Sequence, residues 1–68
     1  MNSSRTPQVG DKVLILCPAY VAGNVGVVRG EEILSDGKSS GNWIVEVTSQ
    51  DLVVSLAENE FQIINKEQ

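Results

Sequence analysis

The sequence predicts a small all-β domain, and three observations support this fold class. Apolar residues recur at every second position over several short runs, as at Val13, Ile15 and Cys17 and at Trp43, Val45 and Val47, which is the period of a strand face. Glycine, proline, asparagine and aspartate separate these runs, as turns require. No stretch has the 3.6-residue period of a long amphipathic helix.

Length and composition limit how such a domain is stabilised. The chain has 68 residues, enough for one domain with a thin core. It contains one cysteine and no histidine, which excludes an internal disulfide and leaves too few ligands for a structural zinc site. We therefore expect stability to come from regular packing of the strands.

The first two strands are predicted at residues 12–17 and 24–33. In the first, the period of two places Val13, Ile15 and Cys17 on the core face. Pro18 ends this strand, because proline cannot donate to a strand ladder. In the second, Val25 and Val27 are predicted to face the core. The glycine between them indicates a bulge or a close backbone approach.

The remaining strands are predicted at residues 42–48, 52–56 and 61–64. Residues 35–41 form a turn-rich loop before the third strand, with Asp36-Gly37 as the strongest turn signal. Ser55 and Glu58 fit a capping-box pattern and predict one short helical turn before the last strand.

Five short strands with a single 3-10 turn before the fifth describe an SH3-like barrel. We predict a flexible N-terminal segment at residues 1–8, the barrel at residues 9–64 and a polar C-terminal tail at residues 65–68. The predicted core residues are mostly β-branched, as half-buried strands prefer. They are Val13, Ile15, Val25, Val27, Trp43, Val45, Val47, Leu52, Val54, Leu56, Phe61 and Ile63.

The charge distribution limits the possible partners. The net charge is −4, and the five cationic residues are scattered along the chain, whereas nucleic-acid binding depends on clustered Lys and Arg. The longest apolar run, residues 13–17, is far too short to span a bilayer. We expect a domain that is soluble when released and monomeric when isolated, with no nucleic-acid partner and no direct lipid insertion.

Few residues offer catalytic chemistry. Without histidine, and with a single thiol that has no base partner in the sequence pattern, no nucleophilic or acid–base constellation is visible. Glu31 and Glu32 are neighbours in a predicted strand and point to opposite faces. We predict a protein that is not an enzyme, with no catalytic, cofactor-binding or metal-binding residue. Cys17 is either a redox thiol or a small buried hydrophobe, and the second reading is favoured.

Apolar residues on the solvent side of the strands suggest a protein partner, since converging exposed apolar residues usually mark an interface. The alternative is that the loops and termini of this small barrel cover them. Tyr20 lies on a predicted loop, where it either contacts a partner, since binding modules expose aromatics on loops, or packs locally. The outward apolar set is Leu14, Leu16, Val28, Ile44, Val53 and Ile64. The predicted interface is Leu14, Leu16, Tyr20, Val21 and Asn24.

Three short motifs carry a family resemblance. They are G-D-K-V-x-I-x-x-P at residues 10–18, N-V-G-V-V at 24–28 and L-A-E-N-E-F at 56–61. Their order and spacing resemble the SH3-like subunits of photosynthetic electron-transfer complexes, such as the photosystem I subunit PsaE. Within this group the sequence looks most similar to the PetP family of small peripheral cytochrome b6f subunits from cyanobacteria and red algae. The resemblance covers residues 9–64.

The resemblance implies a non-catalytic subunit that docks on membrane-bound subunits of the cytochrome b6f complex. It implies a peripheral location at the cytoplasmic or stromal face of the thylakoid, and a role in tuning linear against cyclic electron flow. The PsaE-type subunits help dock acidic ferredoxin with basic residues, whereas this first strand carries Leu14, Leu16 and Cys17. Three alternatives stay open, namely a ferredoxin-docking subunit, a KOW-like ribosome or RNA adaptor, and a redox switch at Cys17.

Overall fold

The computed structural model describes residues 6–64, so residues 1–5 and 65–68 of the predicted terminal segments lie outside the described residues. Five strands and two 3-10 turns account for most of the described chain. They are β1 (Lys12–Ile15), β2 (Val25–Ile33), β3 (Ser39–Val47), a turn at Thr48–Gln50, β4 (Leu52–Ala57), a turn at Glu58–Glu60 and β5 (Phe61–Ile63). The predicted all-β class with five strands is confirmed. No helix in residues 6–64 is long and apolar enough to cross a membrane.

The strands form one antiparallel sheet in the order β4-β3-β2-β1-β5. Strands β4 and β5 are therefore its two edges, and residues 6–64 form no ladder between them. Side chains from all five strands nevertheless share one buried cluster, so the sheet must curl around its own inner face. Closure into a barrel stays a prediction.

The core agrees with the predicted strand phases except in β2. Eight of the predicted core residues are buried, and Leu52 and Ile63 pack against them from partly exposed positions. Val25 and Val27 were predicted to face the core and do not. The buried cluster is Val13, Ile15, Val21, Val28, Trp43, Val45, Val47, Val54, Leu56 and Phe61.

The prediction for β2 is wrong by one residue, so the strand turns its other face inward. Gly26 lies opposite Val13 on one side and Val47 on the other, which places it on the core face. A Cβ atom at Gly26 would lie 2.5 Å from Val45 Cγ1 and 2.9 Å from the Glu46 carbonyl oxygen. Val28, predicted to face solvent, is fully buried. Gly26 therefore marks a close approach of neighbouring strands, one of the two readings that its position suggested.

A bulge and a longer β3 are further differences from the predicted elements. The register of β2 against β3 shifts between Val28 and Gly30, which leaves Arg29 as the extra residue of a bulge. Strand β3 begins at Ser39, which pairs with Ile33. The predicted loop at residues 35–41 is thus a shorter turn.

The turn before β5 is where the sequence predicted it, but its cap is two residues further along. The N-cap is Ala57 rather than Ser55. The side-chain Oε1 of Glu60 accepts a hydrogen bond of 2.9 Å from the Ala57 N–H. The Glu60 backbone carbonyl accepts bonds from the N–H groups of Leu16 and Cys17, at 2.8 and 3.3 Å. Glu60 therefore connects the ends of β1, β4 and the turn.

The packed unit includes residues before the predicted boundary at residue 9. Pro7 is buried, and Asp11 is 5% exposed. The Gln8 N–H donates to Asp11 Oδ2 at 2.9 Å, and the Asp11 N–H donates to the Gln8 carbonyl at 3.0 Å. This reciprocal turn leads the chain into β1.

Candidate docking surface

The loop between β1 and β2 is held in a compact conformation. At its base, the Ile15 N–H donates to the Asn24 carbonyl at 2.9 Å, and the Gly23 N–H donates to the Ile15 carbonyl at 2.8 Å. Within the loop, the Val21 N–H donates to the Pro18 carbonyl and the Asn24 N–H to the Val21 carbonyl. Because of these consecutive turns, neighbouring side chains in the loop differ in their burial. Tyr20 is exposed to solvent, whereas Val21 is buried.

The predicted interface divides accordingly. Tyr20 and Leu16 are exposed, by 68% and 48%, and are available to a partner. Leu14 is half-buried on the outer face of β1. Val21 is fully buried in the core, so its assignment to the interface is wrong.

Asn24 holds the loop together through its side chain. Its Nδ2 donates to the Val21 carbonyl at 3.1 Å, and its Oδ1 accepts from Ser49 Oγ at 3.4 Å. The predicted place of Asn24 in the interface stays a prediction. Its hydrogen bonds within the fold show that it also positions the loop that presents Tyr20.

The structure adds an apolar neighbour that the sequence analysis assigned to the core. Val25 is 43% exposed and lies directly opposite Leu14 on the outer face, where paired side chains are near neighbours. Leu16 lies two residues after Leu14, so its side chain is on the same outer face. The extended pairing continues as far as Leu16, because its N–H donates to the Glu60 carbonyl just before β5. We call Leu14, Leu16, Tyr20 and Val25 the docking surface.

The exposure of Val25 follows from the position of Gly26 in the structure. Gly26 is a strand glycine between two valines, and a glycine facing the core turns both neighbours outward.

Beyond the docking surface, the outer face carries the exposed Val53 and two groups of hydrogen-bonded polar side chains. Arg29 donates to Glu46 Oε1 from Nε at 2.8 Å and from Nη2 at 2.6 Å. One of the few cations of this acidic chain is therefore already paired. This pairing weakens the interpretation of the domain as an RNA adaptor, which needs free Lys and Arg for phosphate.

A second polar group on the surface centres on Glu32. Its Oε1 accepts hydrogen bonds from Ser40 Oγ at 2.7 Å and from Ser55 Oγ at 2.9 Å. The Asn42 amide donates to Ser55 Oγ at 3.2 Å. The hydrogen bond from Ser40, followed by that from Ser55, lowers the pKa of Glu32 from its usual value. These bonds connect β2, β3 and β4 across the outer face.

Cys17 has a carboxylate as its neighbour. Its half-buried thiol lies with Sγ 3.9 Å from Glu60 Oε2. Thiols are activated by nearby cations, metals or helix N-termini, and a carboxylate is none of these. The contact favours a structural role for Cys17 over a redox switch.

Within residues 6–64, no group of three or more acidic, thiol or imidazole side chains converges to hold a metal ion.

No protein-family model, curated protein or solved structure matches this chain.

Proposed function

We propose that this chain is a non-catalytic subunit that binds a larger protein assembly through the docking surface. The observation that carries the proposal is the exposure of Leu16, Tyr20 and Val25 around one hairpin of a small acidic domain. Interfaces commonly have an apolar, aromatic-containing centre and a polar rim. A loop fixed by its own hydrogen bonds also loses little conformational freedom on binding.

The assembly we propose is the cytochrome b6f complex, with the chain as a PetP-type peripheral subunit on the cytoplasmic or stromal side of the thylakoid. The motifs at residues 10–18, 24–28 and 56–61 support this proposal, because their order and spacing resemble those of the PetP family. The first of them, Gly10–Pro18, contains Leu14 and Leu16. Docking on membrane-bound subunits, without lipid insertion, suits an acidic domain because anionic lipid repels it. Such a subunit would tune the balance of linear and cyclic electron flow.

Affinity purification of the tagged chain from solubilised cyanobacterial thylakoids tests the proposal. Haem absorbance measures how much cytochrome b6f complex is recovered. Leu16→Asp should reduce recovery at least tenfold, since a buried unpaired charge at an interface is costly. Tyr20→Ala should also reduce it, because aromatic anchors often dominate binding energy. Raising the salt from 0.1 to 0.5 M should change recovery little, because salt screens charge pairs rather than apolar contacts.

Ile33→Asp is the matched control, because Ile33 is 56% exposed but lies at the other end of β2. It should leave recovery unchanged. Equal loss in Ile33→Asp and Leu16→Asp, or full recovery with both, would move the interface elsewhere. Recovery of ribosomal proteins or of ferredoxin in place of cytochromes would support the corresponding alternative function.

A further inference from the structure

Strand β4 has one edge that pairs with nothing in residues 6–64. Its other edge pairs with β3 along its whole length, from Leu52 opposite Val47 to Ala57 opposite Asn42. The free edge belongs to a six-residue strand of sequence LVVSLA, without charge and without proline. Natural edge strands are commonly protected by lysine, by proline or by being short. The other edge strand, β5, has only three residues, whereas β4 has none of these protections.

The hydrogen bonds identify which backbone groups face outward. The Ala57 N–H donates to the Glu60 side chain, so it points away from β3. Backbone direction alternates along an antiparallel strand, so the N–H and C=O groups of Val53 and Ser55 also point away. Pairing in the rest of the sheet gives the same assignment. The Val28 N–H donates to the Asp11 carbonyl beside β1, so Val27 is the residue that exchanges hydrogen bonds with Glu46 of β3. The backbone groups of Val45 then face β4 and pair with Val54. Val53 and Ser55 thus offer two consecutive donor–acceptor sets at the free edge.

The charges around this edge specify what binds it. Asp51 precedes β4 and Glu58 follows it, and residues 51–64 contain no Lys or Arg. In antiparallel self-pairing, Asp51 of one copy would approach Glu58 of the other, and each copy carries a net charge of −4. Like charges at both ends disfavour a second copy. A strand with cationic ends would complement the same edge.

We propose that the free edge of β4 binds an extended segment of a partner protein by strand addition. The segment has apolar side chains at alternate positions and Lys or Arg at its ends. Its backbone pairs with Val53 and Ser55, and its outer side chains pack beside Val53, which is 58% exposed. In strand addition the main chain supplies affinity and the side chains supply specificity. This inference rests on the proposed function as a docking subunit, and adds a second contact outside the docking surface.

The test uses the 68-residue chain and three synthetic nine-residue peptides. One has an alternating Val/Thr centre with two lysines at each end, the second replaces these lysines by glutamates, and the third has lysines and a central proline. In the free protein, the Val53 and Ser55 amides should exchange rapidly with solvent. The lysine-flanked peptide should shift both amide resonances and slow their exchange at least tenfold at saturation. The glutamate and proline peptides should bind at least fivefold more weakly at low salt.

Val53→Pro and Val53→Ala form a matched pair of variants. Proline removes the outward N–H but no bond to β3, and edge strands tolerate it, whereas alanine keeps the N–H. Binding of the lysine-flanked peptide should fall at least tenfold in Val53→Pro and at most threefold in Val53→Ala. The amide measurements on the unchanged chain test the proposal even where Val53→Pro does not fold.

Several results would overturn the proposal. They are slow exchange of the Val53 and Ser55 amides in the free protein, shifts confined to other residues, equal binding of all three peptides, or unchanged binding in folded Val53→Pro. If the protein forms a concentration-dependent dimer that Val53→Pro abolishes, a second copy of this chain, and not a partner segment, binds the edge of β4. The peptide experiments test the edge of β4 in the absence of cytochrome b6f complex. A failure of peptide binding can therefore be told apart from a failure to recover the complex from thylakoids.

Discussion

Gly26 shows how one residue without a side chain determines the packing of three strands. Val45 Cγ1 occupies the space that a side chain at Gly26 would need, so β2 and β3 approach closely over the core. Val13 and Val47 flank Gly26 in the neighbouring strands. The pattern of apolar residues does not reveal this arrangement, because a buried glycine contributes no apolar signal of its own.

Gly26→Ala should therefore destabilise the domain by about 1–3 kcal/mol, the usual cost of adding atoms to a filled core. Urea unfolding followed by tryptophan fluorescence measures the change. Val25→Ala is the control, since Val25 is exposed, and it should change stability by less than about 0.5 kcal/mol. Equal stability of Gly26→Ala and the unchanged chain would mean that β2 and β3 move apart at little cost.

Glu32 gives the domain a pH-dependent contribution to stability. Because hydrogen bonds from Ser40 and Ser55 lower its folded-state pKa, this contribution is present above the unfolded-state pKa of about 4.3 and is lost as the pH falls through the folded-state pKa. The melting temperature of Glu32→Gln should thus fall less steeply than that of the unchanged chain below about pH 5. Ser40→Ala removes the donor of the first of these hydrogen bonds and should change the slope in the same direction. Parallel curves for Glu32→Gln and the unchanged chain would contradict the assignment.

Among the elements, the core-facing side of β3 could be predicted accurately, although the strand begins three residues earlier than predicted, whereas that of β2 could not. In β3 the polar Glu46 between Val45 and Val47 identifies the solvent face. In β2 the run Val25-Gly26-Val27-Val28 is apolar on both faces, so the period of two does not choose between them. The bulge at Arg29 then displaces the following residues relative to β3.

In the loop at residues 16–23, too, the sequence pattern does not identify which side chains face the core. Pro18 predicted a first strand that reaches residue 17, whereas β1 ends at Ile15, two residues earlier. Tyr20 on the following loop is exposed. Val21 has the same sequence context, but the bonds from Pro18 to Asn24 turn its side chain into the core. A loop of consecutive turns has no fixed side-chain period, so the sequence could not separate these two residues.

The 3-10 turn before β5 should depend on the Glu60 side chain. Glu60→Ala removes the acceptor of the Ala57 N–H and should destabilise the domain by about 1 kcal/mol. Glu60→Gln keeps an oxygen acceptor, so it should lose less than half as much. Thermal unfolding of both variants gives the comparison. Equal losses would assign the effect to charge instead of to the cap.

At the scale of the whole molecule, the sheet joins near neighbours and distant segments. Strands β1, β2 and β3 each pair with the next strand in sequence, whereas β1 also pairs with β5, matching Val13 with Ile63. The docking surface lies on the hairpin of β1 and β2, and the free edge of β4 lies at the other side of the sheet. The all-β class was predictable from local patterns, but this strand order was not, because periodicity carries no information on long-range pairing.

The pairing of β1 with β5 has a consequence for the order of folding. Joining residues 13 and 63 closes a long loop. The chain loses the conformational entropy of this loop before the contacts between β1 and β5 can stabilise it. We expect β2, β3 and β4 to assemble first and β5 to add after the rate-limiting step. In stopped-flow experiments, Val45→Ala should then slow refolding, while Phe61→Ala should mainly accelerate unfolding. The reverse partition would mean that the two ends of the sheet meet early and that the central hairpins form around them.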